Sequence, residues 1–105
     1  MILLTKLSHL RVLEEYMFNK RRSEIQIIAE ILDLSKNGAK KTEILYQNNM
    51  SFSQLQSYLS FLLEKNIIKE SYITKDNGIK NKVYITTGKG NDLLEDINKL
   101  LMYFE

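Results

Sequence analysis

Lys41 to Asn66, KTEILYQNNMSFSQLQSYLSFLLEKN, is the stretch whose reading decides the fold. It reads as two helices joined by a tight turn. Thr42 caps the first, which runs through Glu43, Ile44, Leu45 and Tyr46. Asn48 and Asn49 stop it, because asparagine tolerates left-handed backbone and competes for local hydrogen bonds. Ser51 opens the second helix. Gln54, three residues on, completes an S-x-x-Q capping box, which satisfies two orphan amides reciprocally. Met50, just before the cap, is placed to staple against Leu55. A short helix, a tight turn and a longer second helix make a helix-turn-helix.

The second helix has two unlike faces. Phe52, Leu55, Leu59 and Leu62 recur at helical spacing, with Tyr58 and Leu63 flanking them, and form the expected core face. Ser53, Gln56, Ser57, Ser60 and Glu64 lie opposite, with Gln54 at the edge. Serine and glutamine can read base edges, and glutamine pairs bidentately with adenine. The same residues are also what a solvated helix face carries, so the charge around the helix has to decide.

The net charge of +2 is unevenly placed. Over 20–41, Lys20, Arg21, Arg22, Lys36, Lys40 and Lys41 outnumber Glu24, Glu30 and Asp33. Over 64–89, Lys65, Lys69, Lys75, Lys80, Lys82 and Lys89 outnumber Glu64, Glu70 and Asp76. Over 90–105 the sign reverses, with Asp92, Glu95, Asp96 and Glu105 against Lys99. Cations therefore flank the helix-turn-helix and acid gathers at the C-terminal end, so a polyanion is drawn to one part of the surface.

Working outward toward the N-terminus, Ala39-Lys40-Lys41-Thr42 leads into the motif. Its lysines and the amides of the helix start form a phosphate seat. Before it, Ser23 and Gln26 give another capping box. Ile25, Ile28, Ala29 and Leu32, with Ile31 at the margin, form the core face of a helix that Asn37-Gly38 ends. The basic run Lys20-Arg21-Arg22 precedes a helix N-terminus, where the macrodipole disfavours cations, and so points to an external use such as phosphate contact. Residues 2–18 form one further helix, striped by Leu3, Leu7, Leu10, Leu13 and Met17.

Toward the C-terminus the period changes. Ile67 to Thr74 and Lys82 to Thr87 read as strands, rich in β-branched and aromatic residues. Asn77-Gly78 in the turn between them is a strong hairpin signal. Lys75, Lys80 and Lys82 fall near its tip. Thr87-Gly88-Lys89-Gly90 reads as a turn, since the spacing of a phosphate loop is absent. The last helix is striped by Leu93, Leu94, Ile97, Leu100, Leu101 and Phe104. The steps 94, 97, 101 and 104 are those of a short coiled-coil seam.

Composition bounds the rest. A chain of 105 residues with 44% hydrophobic content reads as one small domain with a single core. Its parts are an N-terminal helix over 1–19, a winged-helix core over 20–90 and a C-terminal helix over 91–105. There is no cysteine, hence no disulfide or thiol chemistry. No apolar run approaches the roughly 18 residues of a membrane span, and MILLTKL is too short for a signal peptide. A cytoplasmic, nucleoid-associated protein is expected. His9 is the only histidine, which leaves no partner for a transition-metal site. No nucleophile–base pairing appears, so no enzyme, cofactor, metal or small-molecule ligand is expected.

The order of basic run, RSEIQIIAEIL, NGAKKTEILYQNNMSFSQLQSYLSFLLEKNII and a hairpin closing in YITTGKG resembles an archaeal winged-helix family. That family includes the Sulfolobus 10a-type DNA-binding proteins and related small transcriptional regulators. The resemblance covers roughly 20–104. It rests on Lys41-Thr42-Glu43-Ile44, on Gln54-Leu55 with Tyr58-Leu59, and on Thr87-Gly88-Lys89-Gly90 before the last helix. It implies a DNA-binding homodimer joined through the C-terminal helix. Here that helix stops early and an extra N-terminal helix precedes the core, so the expected interface draws on both.

The expected fold is therefore mainly α with a small β-hairpin (α+β), a winged helix-turn-helix with an added N-terminal helix and a C-terminal dimerisation helix. The expected ligand is double-stranded DNA. The second helix, from Ser51, enters the major groove N-terminus first, with Ser51 among the DNA-binding residues, and Ser53, Gln54, Gln56 and Ser57 face the bases. Arg21, Arg22, Lys40, Lys41 and Thr42 hold phosphates, and Lys75, Lys80 and Lys82 touch the flanking backbone. Leu3, Leu7, Leu10, Leu94, Ile97, Leu101 and Phe104 form the dimer interface. The alternatives are a general chromatin-type binder and a protein-docking winged helix, the latter supported by Phe61 beside the polar face.

Overall fold

Alternation between a helical period and a strand period sets the element order. The computed structural model describes residues 24–104. They form α1 (Glu24–Leu34), α2 (Lys41–Asn48), α3 (Phe52–Glu64), β1 (Ile68–Thr74), β2 (Lys80–Thr86) and α4 (Gly88–Met102). The helix expected over 2–18, with Leu3, Leu7 and Leu10, lies outside the described residues, as do Arg21, Arg22 and the Ser23 cap.

The turn of the helix-turn-helix forms as its residues dictate. Asn49 ends α2 in the left-handed region at φ 49°, and the buried Asn48 side chain donates back to the Ile44 carbonyl at 3.0 Å. Ser51 caps α3: its hydroxyl accepts from the Gln54 amide at 3.2 Å, and Gln54 Oε1 accepts from the Ser51 amide at 3.1 Å. At the other end Asn66 sits at φ 59°. The Asn66 amide donates to the Leu63 carbonyl at 3.1 Å and the Ile67 amide to the Leu62 carbonyl at 2.9 Å. That is a Schellman ending, with asparagine doing what glycine usually does.

The hairpin pairs Ile68 with Thr86 through to Thr74 with Lys80. Its tip is a three-residue loop rather than a two-residue one. Gly78 donates to the Lys75 carbonyl at 2.8 Å and Lys75 to the Ile79 carbonyl at 2.9 Å. Only the glycine of Asn77-Gly78 has positive φ, +81°. Asn77 instead accepts from the Ile79 amide at 3.1 Å through its side chain. This is the turn-plus-bulge closure that an αL glycine allows.

A third strand of one residue joins this sheet, and no local pattern announces it. The Ala39 amide donates to the Tyr84 carbonyl at 3.0 Å, and the Tyr84 amide returns the bond at 2.8 Å. Gly38, at φ +97°, makes the bend that lays Ala39 alongside β2. The helix-turn-helix is thereby fastened to the hairpin.

The core lies where the helices meet the base of the sheet. Ile31, Leu32, Ile44, Leu55, Leu59 and Leu62 are fully buried there, with Ile68. In α1 the buried stripe is turned relative to expectation. Ile31 is central while Ile25 and Ile28 are half-buried, in a helix that packs against α4, α2 and β2. Leu94 and Ile97 of α4 are buried in this same core. That corrects their expected place in a dimer seam, since side chains enclosed within one chain are not on offer to a second. Leu101 and Phe104 stay half-buried, and Leu100, Met102 and Tyr103 are exposed.

Thr86 and Thr87 join the layers. The Thr86 hydroxyl donates to the Leu32 carbonyl of α1 at 2.7 Å. Thr87 caps α4 by accepting from the Gly90 amide at 3.1 Å, and its own hydroxyl donates to the Asn66 carbonyl at 2.7 Å. Lys89 Nζ donates to the Lys65 carbonyl at 2.8 Å, placing a cation where the α3 dipole favours one. The stretch expected only to turn the chain is thus the junction between α3, the sheet and α4.

Candidate nucleic-acid interface

Every residue of the polar face of α3 is at the surface. Ser53, Gln54, Gln56, Ser57 and Ser60 are exposed, and no carboxylate occurs on α3 before Glu64. Several of these groups are already engaged among themselves. Gln54 Oε1 and the Ser51 hydroxyl serve the capping box. The Ser57 hydroxyl donates to the Ser53 carbonyl at 3.1 Å. Gln56 Nε2 donates to the Ser60 hydroxyl at 3.2 Å. The Ser53 hydroxyl also lies 3.4 Å from the Ser51 hydroxyl, in a hydrogen bond within the cap. What remains outward is the Gln54 amide nitrogen and the unshared capacity of Gln56.

The start of α2 differs from expectation in two ways. Its cap position is Lys40, in extended backbone at φ −75° and ψ 152°, so Thr42 stands exposed inside the helix and caps nothing. Glu43 explains the shift: its carboxylate reaches back and accepts from the Lys40 amide at 3.2 Å. A carboxylate at a helix N-terminus is favourable to the dipole. It takes up the Lys40 amide at the expected phosphate seat and sets a negative charge beside Lys40 and Lys41.

Phe52 is the second correction. Helical spacing puts it on the core face of α3, yet it is 61% exposed. Met50, half-buried against the core, takes the apolar place at the helix start instead. The Phe52 ring carries the Lys41 ammonium, 4.2 Å from its centroid. Lys41 Nζ also donates to Gln56 Oε1 across the motif. Lys41 therefore spans from α2 to α3 rather than standing free beside Lys40.

In the hairpin, Lys75 and Lys80 are exposed around the tip. Lys82 lies deeper, opposite Tyr72, and is ion-paired to Glu70 at 2.9 Å. The hydrogen bond to Glu70, with Tyr84 adding to it, holds the Lys82 ammonium above its ordinary range. Its nitrogen lies 5.6 Å from the Tyr84 ring centroid. Lys82 is expected near the tip; the register puts it in mid-strand with a local counter-charge.

Sequence reasoning missed the Lys41–Phe52–Gln56 contact. The signal that carries it is position: Phe52 is the first helical residue after the Ser51 cap, and its ring stands exposed there. Among the described residues no group of His, Cys, Asp or Glu could hold a metal ion. Among them, too, no helix is long and apolar enough to cross a membrane.

A helix-turn-helix strapped to an antiparallel hairpin defines a winged helix. The family described as winged helix-turn-helix matches residues 21–103, and the chain belongs to that family. An uncharacterized protein of Methanocaldococcus jannaschii is 37% identical over 81 residues, covering 76% of this chain and 34% of its own length. A second protein of that archaeon is 35% identical over 52 residues, 49% of this chain and 54% of its own. The chain thus spans about a third and about half of these two relatives. Among solved structures, a PadR-like transcription factor from Bacteroides fragilis superposes with a TM-score of 0.61 at 18% identity, covering 73% of this chain and 81% of the other. A protein from Methanosarcina mazei, described as a possible transcriptional regulator, gives a TM-score of 0.51 at 15% identity, with 89% and 79% covered. At these identities the likeness is one of fold.

Proposed function

We propose that this chain binds double-stranded DNA as a homodimeric transcriptional regulator, with α3 entering the major groove and the hairpin acting as wing. The observation that carries this reading is the exposed face of α3. It is uncharged from its capped start to Glu64, and is flanked by Lys40 and Lys41 on one side. The wing tip supplies Lys75 and Lys80. Ser53, Gln54, Gln56 and Ser57 face the bases, while Lys40, Lys75 and Lys80 contact phosphates. Thr42, Lys82 and the run with Arg21 and Arg22 have flanking roles in this scheme. Membership of the winged helix-turn-helix family supports it.

The homodimer, drawn from the resemblance to Sulfolobus 10a-type proteins, belongs to the same proposal. With Leu94 and Ile97 enclosed, the proposed interface draws on Leu101 and Phe104, with the exposed Leu100, Met102 and Tyr103 beside them, together with Leu3, Leu7 and Leu10 of the expected N-terminal helix. A nucleoid location in the cytoplasm follows from the ligand.

A mobility-shift titration with unlabelled competitor tests the reading. A regulator separates cognate from random duplex by ~10³-fold or more. Equal competition by random duplex would turn the reading to a general, chromatin-type binder. A protein-docking role is the second reading, favoured by Phe61, which is 46% exposed on α3 with Glu64 one turn further on. Absence of any duplex binding, with Phe61→Ala abolishing capture of a protein partner, would establish that reading instead.

A further inference from the structure

We propose that Lys41 is a positioning residue for base recognition: it fixes the Gln56 amide so that α3 selects an A·T pair where Gln56 meets the groove. This rests on the DNA-binding reading above. An ammonium only donates, and a glutamine amide has an accepting end and a donating end. Contact with Lys41 Nζ therefore requires Oε1 to face α2. The donating end then points along α3, where Nε2 donates to the Ser60 hydroxyl at 3.2 Å. Both ends of the amide are held, and its flip is decided.

Lys41 is itself held. Its ammonium rests 4.2 Å from the Phe52 ring centroid, an attraction available because that ring is exposed beside it. The chain Phe52–Lys41–Gln56–Ser60 crosses from the second to the third helix, and its three members on α3 all lie at the surface. A long side chain that is normally free to rotate is thereby presented in one orientation before any ligand arrives.

The orientation has a chemical consequence. Each end of the amide keeps further capacity: a second lone pair on Oε1 and a second proton on Nε2. An acceptor beside a donor matches the N6 amino group and N7 of adenine. Guanine presents two acceptors, O6 and N7, and would set O6 against the amide oxygen. A free lysine at this place would instead favour guanine. Its engagement with Gln56 and Phe52 removes that preference and leaves the glutamine to read.

The test is selection of binding sites from randomised duplexes by the whole chain, followed by affinity measurements on single-base variants of the selected site. Wild type should select A·T at one position per half-site. Gln56→Ala should lose the preference at that position alone. Lys41→Met, which removes the ammonium and keeps an unbranched side chain, should lower the A·T over G·C ratio there about tenfold, as loss of one bidentate reading does. Ser60→Ala, a surface change, should weaken the same position by a smaller factor. Lys40→Met removes a neighbouring cation and should weaken all sequences alike. A Lys41→Met protein that keeps the ratio, or one that loses affinity evenly at every position, overturns the inference. Wild type binding all duplexes equally overturns it while sparing the DNA-binding reading. Wild type binding no duplex overturns both.

Discussion

Gly90 occupies the point where α4 crosses the chain leaving α3. A Cβ added there would overlap the Ile67 carbonyl oxygen and come within 2.7 Å of Thr86 Cγ2. Both belong to the junction that Thr86 and Thr87 hold together. Gly90→Ala should therefore destabilise by about 1–3 kcal/mol or more, as overpacking against backbone does. Thermal denaturation would show it, while Gly88→Ala, with open space around its Cβ, should be nearly silent. Ser35 is the opposite case. It is fully buried and its hydroxyl has no hydrogen-bond partner. Ser35→Ala removes a desolvated polar group and should leave stability unchanged or raise it by about 1 kcal/mol. A loss of stability in chemical denaturation would mean the hydroxyl finds a partner in solution.

Elements here are bounded by side chains that can be named and removed. Ser51 carries the start of α3, and Ser51→Ala should cost roughly 0.5–2 kcal/mol, readable from the urea midpoint. Asn66 carries its end in the left-handed region. Asn66→Val should destabilise by about 1–3 kcal/mol, since a β-branched residue is strained at positive φ, whereas Asn66→Gly should be tolerated. These ends are readable from Ser51, Gln54 and Asn66 because capping is local chemistry. Thr42 misleads for a related reason. Two capping patterns overlap at the start of α2, and the reach of Glu43 back to Lys40 decides between them. Phe52 misleads because helical spacing gives the angle of a side chain but not whether a neighbour lies beneath it.

Among the described residues the charge is partly sorted: Lys40 and Lys41 at the helix-turn-helix and Lys75 and Lys80 at the wing tip have Glu43 and Asp76 among them, while α4 exposes Asp92, Glu95 and Asp96 with Lys89 and Lys99. Replacing Lys40, Lys75 and Lys80 together by alanine should lower affinity for every duplex. The salt dependence should flatten by up to about 0.9 unit of slope for each phosphate no longer neutralised. An unchanged slope would remove these lysines from the interface. Among the described residues, Leu100, Met102 and Tyr103 around the end of α4 are exposed, at 41%, 66% and 86%. Light scattering at micromolar concentration should give the mass of two chains, and Leu100→Asp with Tyr103→Asp should halve it. A wild-type mass of one chain would strike the dimer from the proposal.

By itself the sequence determined the order of elements over 24–104, the Ser51 capping box and the asparagine-stopped ends around it, the hairpin and the uneven charge. These depend on neighbours within a few residues, where backbone sterics and hydrogen-bond reach are short-ranged. Only the tertiary structure decided the rest. The Ala39 bridge to Tyr84, the burial of Leu94 and Ile97 within one chain, the Glu70 partner of Lys82 and the span of Lys41 to Gln56 all join residues distant in the chain. A periodic stripe declares that a face must be covered, and the packing of whole helices against a sheet selects what covers it.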